Sequence, residues 1–160
     1  MNEYRYKQYT CCFTGHRPEK INISEERVKV FLSREIKKAV EDGFRIFITG
    51  MSRGVDLWAG EIVLNLKNKI SEIKLICAIP YNGFERKWCA GDRELYYSIM
   101  DRADKIYFIC SNFSYSCFQV RNIWMVDHSD RVIAFYRGIK GGTQNTIDYA
   151  KRNKIQIIYI

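Results

Sequence analysis

Three apolar runs each end in a short glycine-bearing turn, and this pairing narrows the folds open to the chain. Cys11-Cys12-Phe13-Thr14 leads into Gly15-His16-Arg17-Pro18, and Phe44 to Thr49 leads into Gly50-Met51-Ser52-Arg53-Gly54-Val55-Asp56. Arg131 to Tyr136 leads into Arg137-Gly138-Ile139-Lys140-Gly141-Gly142-Thr143. Runs of this length and composition read as buried strands, and each turn points towards a helical pattern. In an open parallel sheet such turns lie at the carboxyl edge, where ligands bind. Glycine lets backbone N–H groups approach an anion, and a helix N-terminus favours negative charge. The expectation is a phosphate-bearing ligand.

The rest of the chain keeps the alternation. A strand over about Thr10 to Thr14 precedes Asn22-Ile23-Ser24-Glu25, which reads as a capping box with Asn22 as N-cap. Val28, Phe31, Leu32, Ile36 and Val40 then recur at helical spacing, and Gly43 supplies a stop. Strands are expected over Phe44–Thr49, Ile73–Ile79, Lys105–Cys110, Arg131–Tyr136 and Ile155–Tyr159. Helices are expected over Val55–Lys69, Glu85–Arg102, Phe118–His128 and Thr143–Asn153, with Ser111 to Cys117 as a loop. In the second of these helices Gly91 weakens the middle. Such alternation implies α/β architecture: a mostly parallel sheet with right-handed crossovers and helices on both faces.

Composition sets the bounds. With 160 residues, 47% of them hydrophobic, and only two prolines, the chain is expected to form a single domain over residues 1–160. No apolar run approaches the roughly 20 residues of a membrane span. Met1 to Lys7 is polar and aromatic, unlike a signal peptide, so the expected location is cytoplasmic with no membrane partner. Six cysteines occur, but Cys11, Cys77 and Cys110 lie inside apolar runs and no C-x-x-C is present. They read as buried thiols, with neither disulfides nor a metal site. The net charge of +8 suits an anionic ligand or nucleic acid, and equally a well-solvated surface.

Each candidate residue has a functional and a bland reading. Arg17 either pairs with a phosphate or satisfies a local carboxylate such as Glu19. His16 either acts as acid, base or donor to a sugar, or merely packs. Gly50, Met51, Ser52 and Gly54 form a turn able to hold an oxyanion. Asp56 either caps its helix or bonds ribose hydroxyls. Gly141, Gly142 and Thr143 suit a phosphate cradle at a helix start, against a plain flexible connection. Arg121 is an anion ligand or a surface ion pair, and Asp127 is polar near the end of the same helix. Tyr81, Trp88 and Tyr96 either stack on a base or belong to the core. The dinucleotide fingerprint G-x-G-x-x-G and the P-loop G-x-x-x-x-G-K-[ST] are both missing, so no standard NAD or P-loop site is expected, and no cofactor.

Taken in order, Phe13-Thr14-Gly15-His16-Arg17-Pro18, Thr49-Gly50-Met51 with Gly54-Val55-Asp56, Ile79-Pro80-Tyr81, Arg121-Asn122 with Trp124-Met125-Val126-Asp127, and Gly141-Gly142-Thr143 with Thr146 and Tyr149-Ala150 resemble the YpsA-like branch of the SLOG superfamily. That superfamily also holds the DNA-processing protein DprA/Smf and the LOG phosphoribohydrolases. The resemblance runs from Cys12 to Ala150. It implies a Rossmann-like fold with a nucleotide or nucleotide-derived ligand at the glycine turns, bound at Thr14, Gly15, His16, Arg17, Gly50, Met51, Ser52, Gly54, Asp56, Arg121, Asp127, Gly141, Gly142 and Thr143. LOG enzymes carry P-G-G-x-G-T-x-x-E, whose glutamate serves glycosidic cleavage. Here the segment reads Lys140-Gly141-Gly142-Thr143-Gln144-Asn145-Thr146-Ile147-Asp148. The second G-T and the glutamate are absent, and Asp148 is out of register. The expectation is therefore a sensor or regulatory binding module rather than an enzyme. The alternatives are a nucleotide hydrolase using His16, Asp56 or Asp127, or single-stranded DNA binding as in DprA. Exposed aromatics are compatible with a homo-oligomer.

Overall fold

The computed structural model describes residues 9–160. The expectation for Met1 to Lys7 lies outside the described residues. Six strands, β1 (Thr10–Gly15), β2 (Ile46–Thr49), β3 (Lys74–Ile79), β4 (Lys105–Phe108), β5 (Arg131–Phe135) and β6 (Gln156–Tyr159), alternate with five helices. These are α1 (Glu25–Glu41), α2 (Val55–Lys67), α3 (Ala90–Arg102), α4 (Cys117–Asp127) and α5 (Gly142–Arg152). The sheet order is β4-β3-β2-β1-β5-β6, and every neighbouring pair is parallel.

The order explains where a ligand can sit. From β1 the chain builds outwards through β2 and β3 to β4, then returns to place β5 on the other side of β1. Right-handed crossovers running in opposite directions put their helices on opposite faces. Accordingly, Cys11 and Phe13 of β1 pack with Phe47, Leu75, Cys77 and Phe135 against the apolar stripes of α1, α2 and α3. Cys12, Ile48, Ile76, Val132 and Ala134 pack against Met125 and Val126 of α4 and Ile147 and Ala150 of α5. Because the central strands are covered on both sides, they show continuous apolar runs rather than alternation. At β1 and β5 the connections diverge to opposite faces, leaving a crevice between their carboxyl ends.

The element boundaries differ from the sequence reading in a few places. The N-cap of α1 is Ser24, whose Oγ accepts from the Arg27 N–H at 3.2 Å, rather than Asn22. The expected helix from Glu85 begins only at Ala90. Before it, residues 81–89 fold as turns, with Gly83 at φ +90° and Phe84 and Trp88 held in an aromatic cluster. Strand β4 ends at Phe108 and all four of its residues are exposed, so Cys110 lies beyond it and is half-buried. All six cysteines are free thiols, four of them buried. Among the described residues no helix is long and apolar enough to cross a membrane, and no three side chains cluster as metal ligands.

Candidate functional site

The β1–α1, β2–α2 and β5–α5 connections meet the start of α4 around a cavity of about 400 Å³ at the carboxyl edge. Thr14, Gly15, His16 and Arg17 enter from the end of β1. Ser52 and Asp56 come from the start of α2, Phe118, Arg121 and Asn122 from α4, and Lys140, Gly141, Gly142 and Thr143 from the start of α5. Ten of the fourteen sequence-derived site residues therefore share one cavity.

The β2–α2 turn is a packed lock. The Thr49 hydroxyl donates to the Asp56 carbonyl at 2.7 Å and accepts from the Met51 N–H at 3.2 Å. Met51 takes φ +63°, unusual for a residue with a side chain, and its side chain is fully buried. Gly54, the N-cap of α2, sits at φ +88° and ψ −125° against the Pro18 ring. Gly50 lies so close to the Arg121 guanidinium and the Asp56 carboxylate that a Cβ there would come within 2.8 Å of both. Gly50, Met51 and Gly54 thus shape the turn without lining the cavity.

Arg121 is not the surface ion pair of one sequence reading. It is buried, not on the helix surface, and its Nη1 donates to the Gly50 carbonyl. Nη2 donates to Ser52 Oγ at 3.3 Å and Nε to Asn122 Oδ1 at 2.8 Å. The guanidinium ties α4 to the β2–α2 turn while one side of it borders the cavity. Asp56 is also buried, and its Oδ2 accepts from the Ser52 N–H at 3.3 Å. Burial pushes its carboxyl up to about 6, against the opposing pull of the Arg121 charge and the Ser52 N–H.

His16 is buried, and its Nε2 accepts from the Arg137 N–H at 3.0 Å, joining the ends of β1 and β5. That bond places the neutral ring's proton on Nδ1. Burial lowers its pKa, and the Lys20 and Arg137 charges lower it further, so the neutral form prevails. Glu19 pairs with Arg53 rather than with Arg17.

The α5 end is open by contrast. Its N-cap is Gly141, which offers no side chain to the first N–H groups. Thr143 is buried at the cavity wall, and Thr146 Oγ1 donates back to the Gly142 carbonyl at 2.8 Å. A helix start without a side-chain cap, beside exposed Arg17, Lys20 and Lys140, makes an anion-attracting surface. Asp127 is not part of it. It lies six residues after Arg121, about 9 Å along α4 towards the amino edge, and accepts from the Tyr149 hydroxyl at 2.7 Å. Asp148 accepts from Gln144 Nε2 at 3.1 Å and does not border the cavity.

Sequence reading missed Phe13, Lys20, Phe118, Asn122 and Lys140 as lining residues. Phe118 and Asn122 lie three before and one after Arg121 on α4, and Lys140 directly precedes the glycine pair, so proximity to chosen residues was the available signal. Of the three aromatics considered for stacking, Tyr96 is core, Tyr81 packs against Phe84, Phe113 and Phe118, and Trp88 borders a cleft beside the cavity.

A family model described as the YspA SLOG family, YpsA, matches residues 11–160. The chain belongs to the YpsA family of SLOG proteins. A UPF0398 protein of Macrococcus caseolyticus is 31% identical over 157 residues, spanning 90% of this chain and 85% of the relative. A UPF0398 protein of Bacillus thuringiensis (strain Al Hakam) is 30% identical over 152 residues, spanning 90% and 83%. Among solved structures, DNA processing protein A (DprA) of Streptococcus pneumoniae aligns with a TM-score of 0.68 at 18% identity. DprA of Helicobacter pylori, described for its single-stranded DNA binding mode, aligns with a TM-score of 0.68 at 19% identity. The alignments cover 94% and 96% of this YpsA-family chain, which spans 49% and 65% of the two DprA chains. At that identity the likeness establishes the shared fold.

Proposed function

We infer that this YpsA-family protein binds a nucleotide or nucleotide-derived ligand through its phosphate, as a sensor or regulatory module. The observation that carries the reading is the uncapped start of α5, which opens with Arg17, Lys20 and Lys140 onto a cavity at the β1/β5 switch point. The phosphate sits at Gly141, Gly142 and Thr143, where backbone N–H groups are free to donate and the helix dipole favours negative charge. Ser52 and Asp56 face the sugar, and the Nδ1–H of His16 adds a donor. Calorimetric titration with AMP, ADP-ribose and NAD tests the reading. Micromolar to sub-millimolar binding is expected, and the double variant Arg17→Ala, Lys140→Ala weakens it about tenfold or more. Absence of heat with every nucleotide at millimolar concentration rejects it.

Asp56 favours hydrolysis as a second reading. A buried carboxyl raised to about 6 beside a cavity is suited to proton transfer near neutral pH. Chromatography after incubation with nucleoside monophosphates separates the two: turnover abolished by Asp56→Asn supports the enzyme, and intact nucleotide supports binding alone. The fold shared with DprA and the +8 charge motivate a test for single-stranded DNA. Anisotropy of a labelled oligonucleotide should then fall steeply with salt. No binding at low salt excludes this third reading.

A further inference from the structure

A second, smaller cleft of about 140 Å³ adjoins the cavity, bordered by Arg17, Ser52, Arg53, Phe84, Trp88 and Phe118. Arg17, Ser52 and Phe118 border both spaces, so the two form one continuous surface. The cleft is too small to hold a whole ligand, since ligand sites usually span about 300–1,000 Å³. Its size suits one part of a ligand held in the larger cavity.

Its chemistry differs from that of the phosphate end. Three half-buried rings form its apolar wall. Phe84 and Trp88 stand edge-to-face with centroids 4.8 Å apart, and Phe84 and Phe118 lie 6.5 Å apart at 61°. Tyr96 backs the group at 5.7 Å from Phe84 and 5.6 Å from Trp88, and it is fully buried. The rings are therefore braced from the core side while an edge of the cluster stays open to the cleft. An aromatic wall gives nothing to a phosphate, which gains its stability from donors and cations. It suits a flat, weakly hydrated ring system, and the two arginines at the rim suit it too, because guanidinium planes stack on aromatic faces.

We propose that this cleft is the nucleobase subsite: the base of a 5′-nucleotide stacks on Trp88 and Phe118 while its phosphate sits at the start of α5. The proposal rests on the phosphate-binding reading above and adds the base as a separate source of affinity. The wall is aromatic and the polar groups at its rim are two arginines and one serine, so recognition is by stacking more than by base-edge pattern. AMP, GMP and UMP should consequently bind within a few-fold of one another, as at other stacking platforms.

Three probes on the wild-type protein separate the claims by calorimetry: inorganic phosphate, ribose 5-phosphate and AMP. Stacking on an aromatic side chain contributes roughly 1–3 kcal/mol per base, so AMP should bind about fivefold or more tightly than ribose 5-phosphate. Trp88→Leu, at a residue bordering only the small cleft, should bring AMP down to the affinity of ribose 5-phosphate and leave the latter unchanged. Should that variant fail to fold, the wild-type series decides the question with no variant at all. Equal affinity of AMP and ribose 5-phosphate for the wild type overturns the base subsite while leaving the phosphate site standing. So does a Trp88 variant that weakens both probes equally. Failure of all three probes to bind at millimolar concentration overturns both readings together.

Discussion

The starts of α2 and α5 look alike in sequence, since each places glycines between a buried strand and a helix, but the molecule treats them oppositely. At α2 the glycines are demanded by neighbours. A Cβ on Gly54 would lie 2.9 Å from the Pro18 Cδ and 3.3 Å from the His16 carbonyl oxygen, and one on Gly50 would strike Arg121 and Asp56. At α5 a Cβ on Gly141 meets nothing within 4 Å, and one on Gly142 meets only Asn122 Nδ2 at 3.7 Å. One turn spends its glycines on internal packing. The other leaves space in front of its backbone, which is where an incoming anion can approach. A glycine motif thus marks a close approach of backbone to something, and only the surroundings tell whether that something is protein or ligand.

Substitutions can break this contrast. The largest stability loss is expected for Gly54→Ala, about 3–4 kcal/mol, because a strained φ and a clash with a rigid ring add together. A loss below about 1 kcal/mol in urea unfolding would dissolve the idea of a locked turn. The next effect is pH dependence. The Asp56 carboxyl is raised to about 6 in the folded state from an ordinary 3.8, so the native state holds this proton more tightly than the unfolded chain does. Its contribution is complete below pH 4 and disappears as pH rises through about 6, a loss of roughly 3 kcal/mol. Asp56→Asn should flatten that part of the stability curve, and an unchanged slope in the variant would clear Asp56 of the effect.

Gly50→Ala comes third, at about 2 kcal/mol. Arg121 would have to withdraw to make room, and it would then give up its bonds to the Gly50 carbonyl and Ser52. Unfolding of this variant and of Arg121→Met should show matched losses if the two residues act as one brace. The smallest stability effect belongs to Gly142→Ala, within about 0.5 kcal/mol. Its nucleotide affinity should nevertheless fall several-fold, because the methyl occupies the approach to the α5 backbone. A Gly142→Ala protein that unfolds like Gly54→Ala, or binds nucleotides like the wild type, would erase the distinction between the two turns.

Much of this arrangement was legible beforehand, and the exceptions are instructive. The strand runs around Phe13, Phe47 and Ile133 were readable because burial on both faces leaves them uniformly apolar. The helix expected from Glu85 was not, since Phe84 and Trp88 are drawn into an aromatic cluster that a local pattern does not reveal. Asp127 belonged to a motif that does reach the site through Arg121 and Asn122. Six further residues of helix carry it away to the opposite edge of the sheet. Lys20 and Lys140 carry no pattern of their own and become cavity residues only because β1 and β5 lie side by side.

The sequence by itself determined the α/β alternation, the family, and the three turns that crowd the carboxyl edge, because periodicity and turn chemistry are local properties. Tertiary structure alone decided the roles within that edge. Strand order brought residue 14 beside residue 134 and so created the crevice. Packing buried Arg121 and Asp56 behind the α2 turn, made its glycines obligatory there, and left the glycines of α5 facing open space. Those outcomes depend on contacts between segments some 65 to 120 residues apart, which no local pattern encodes.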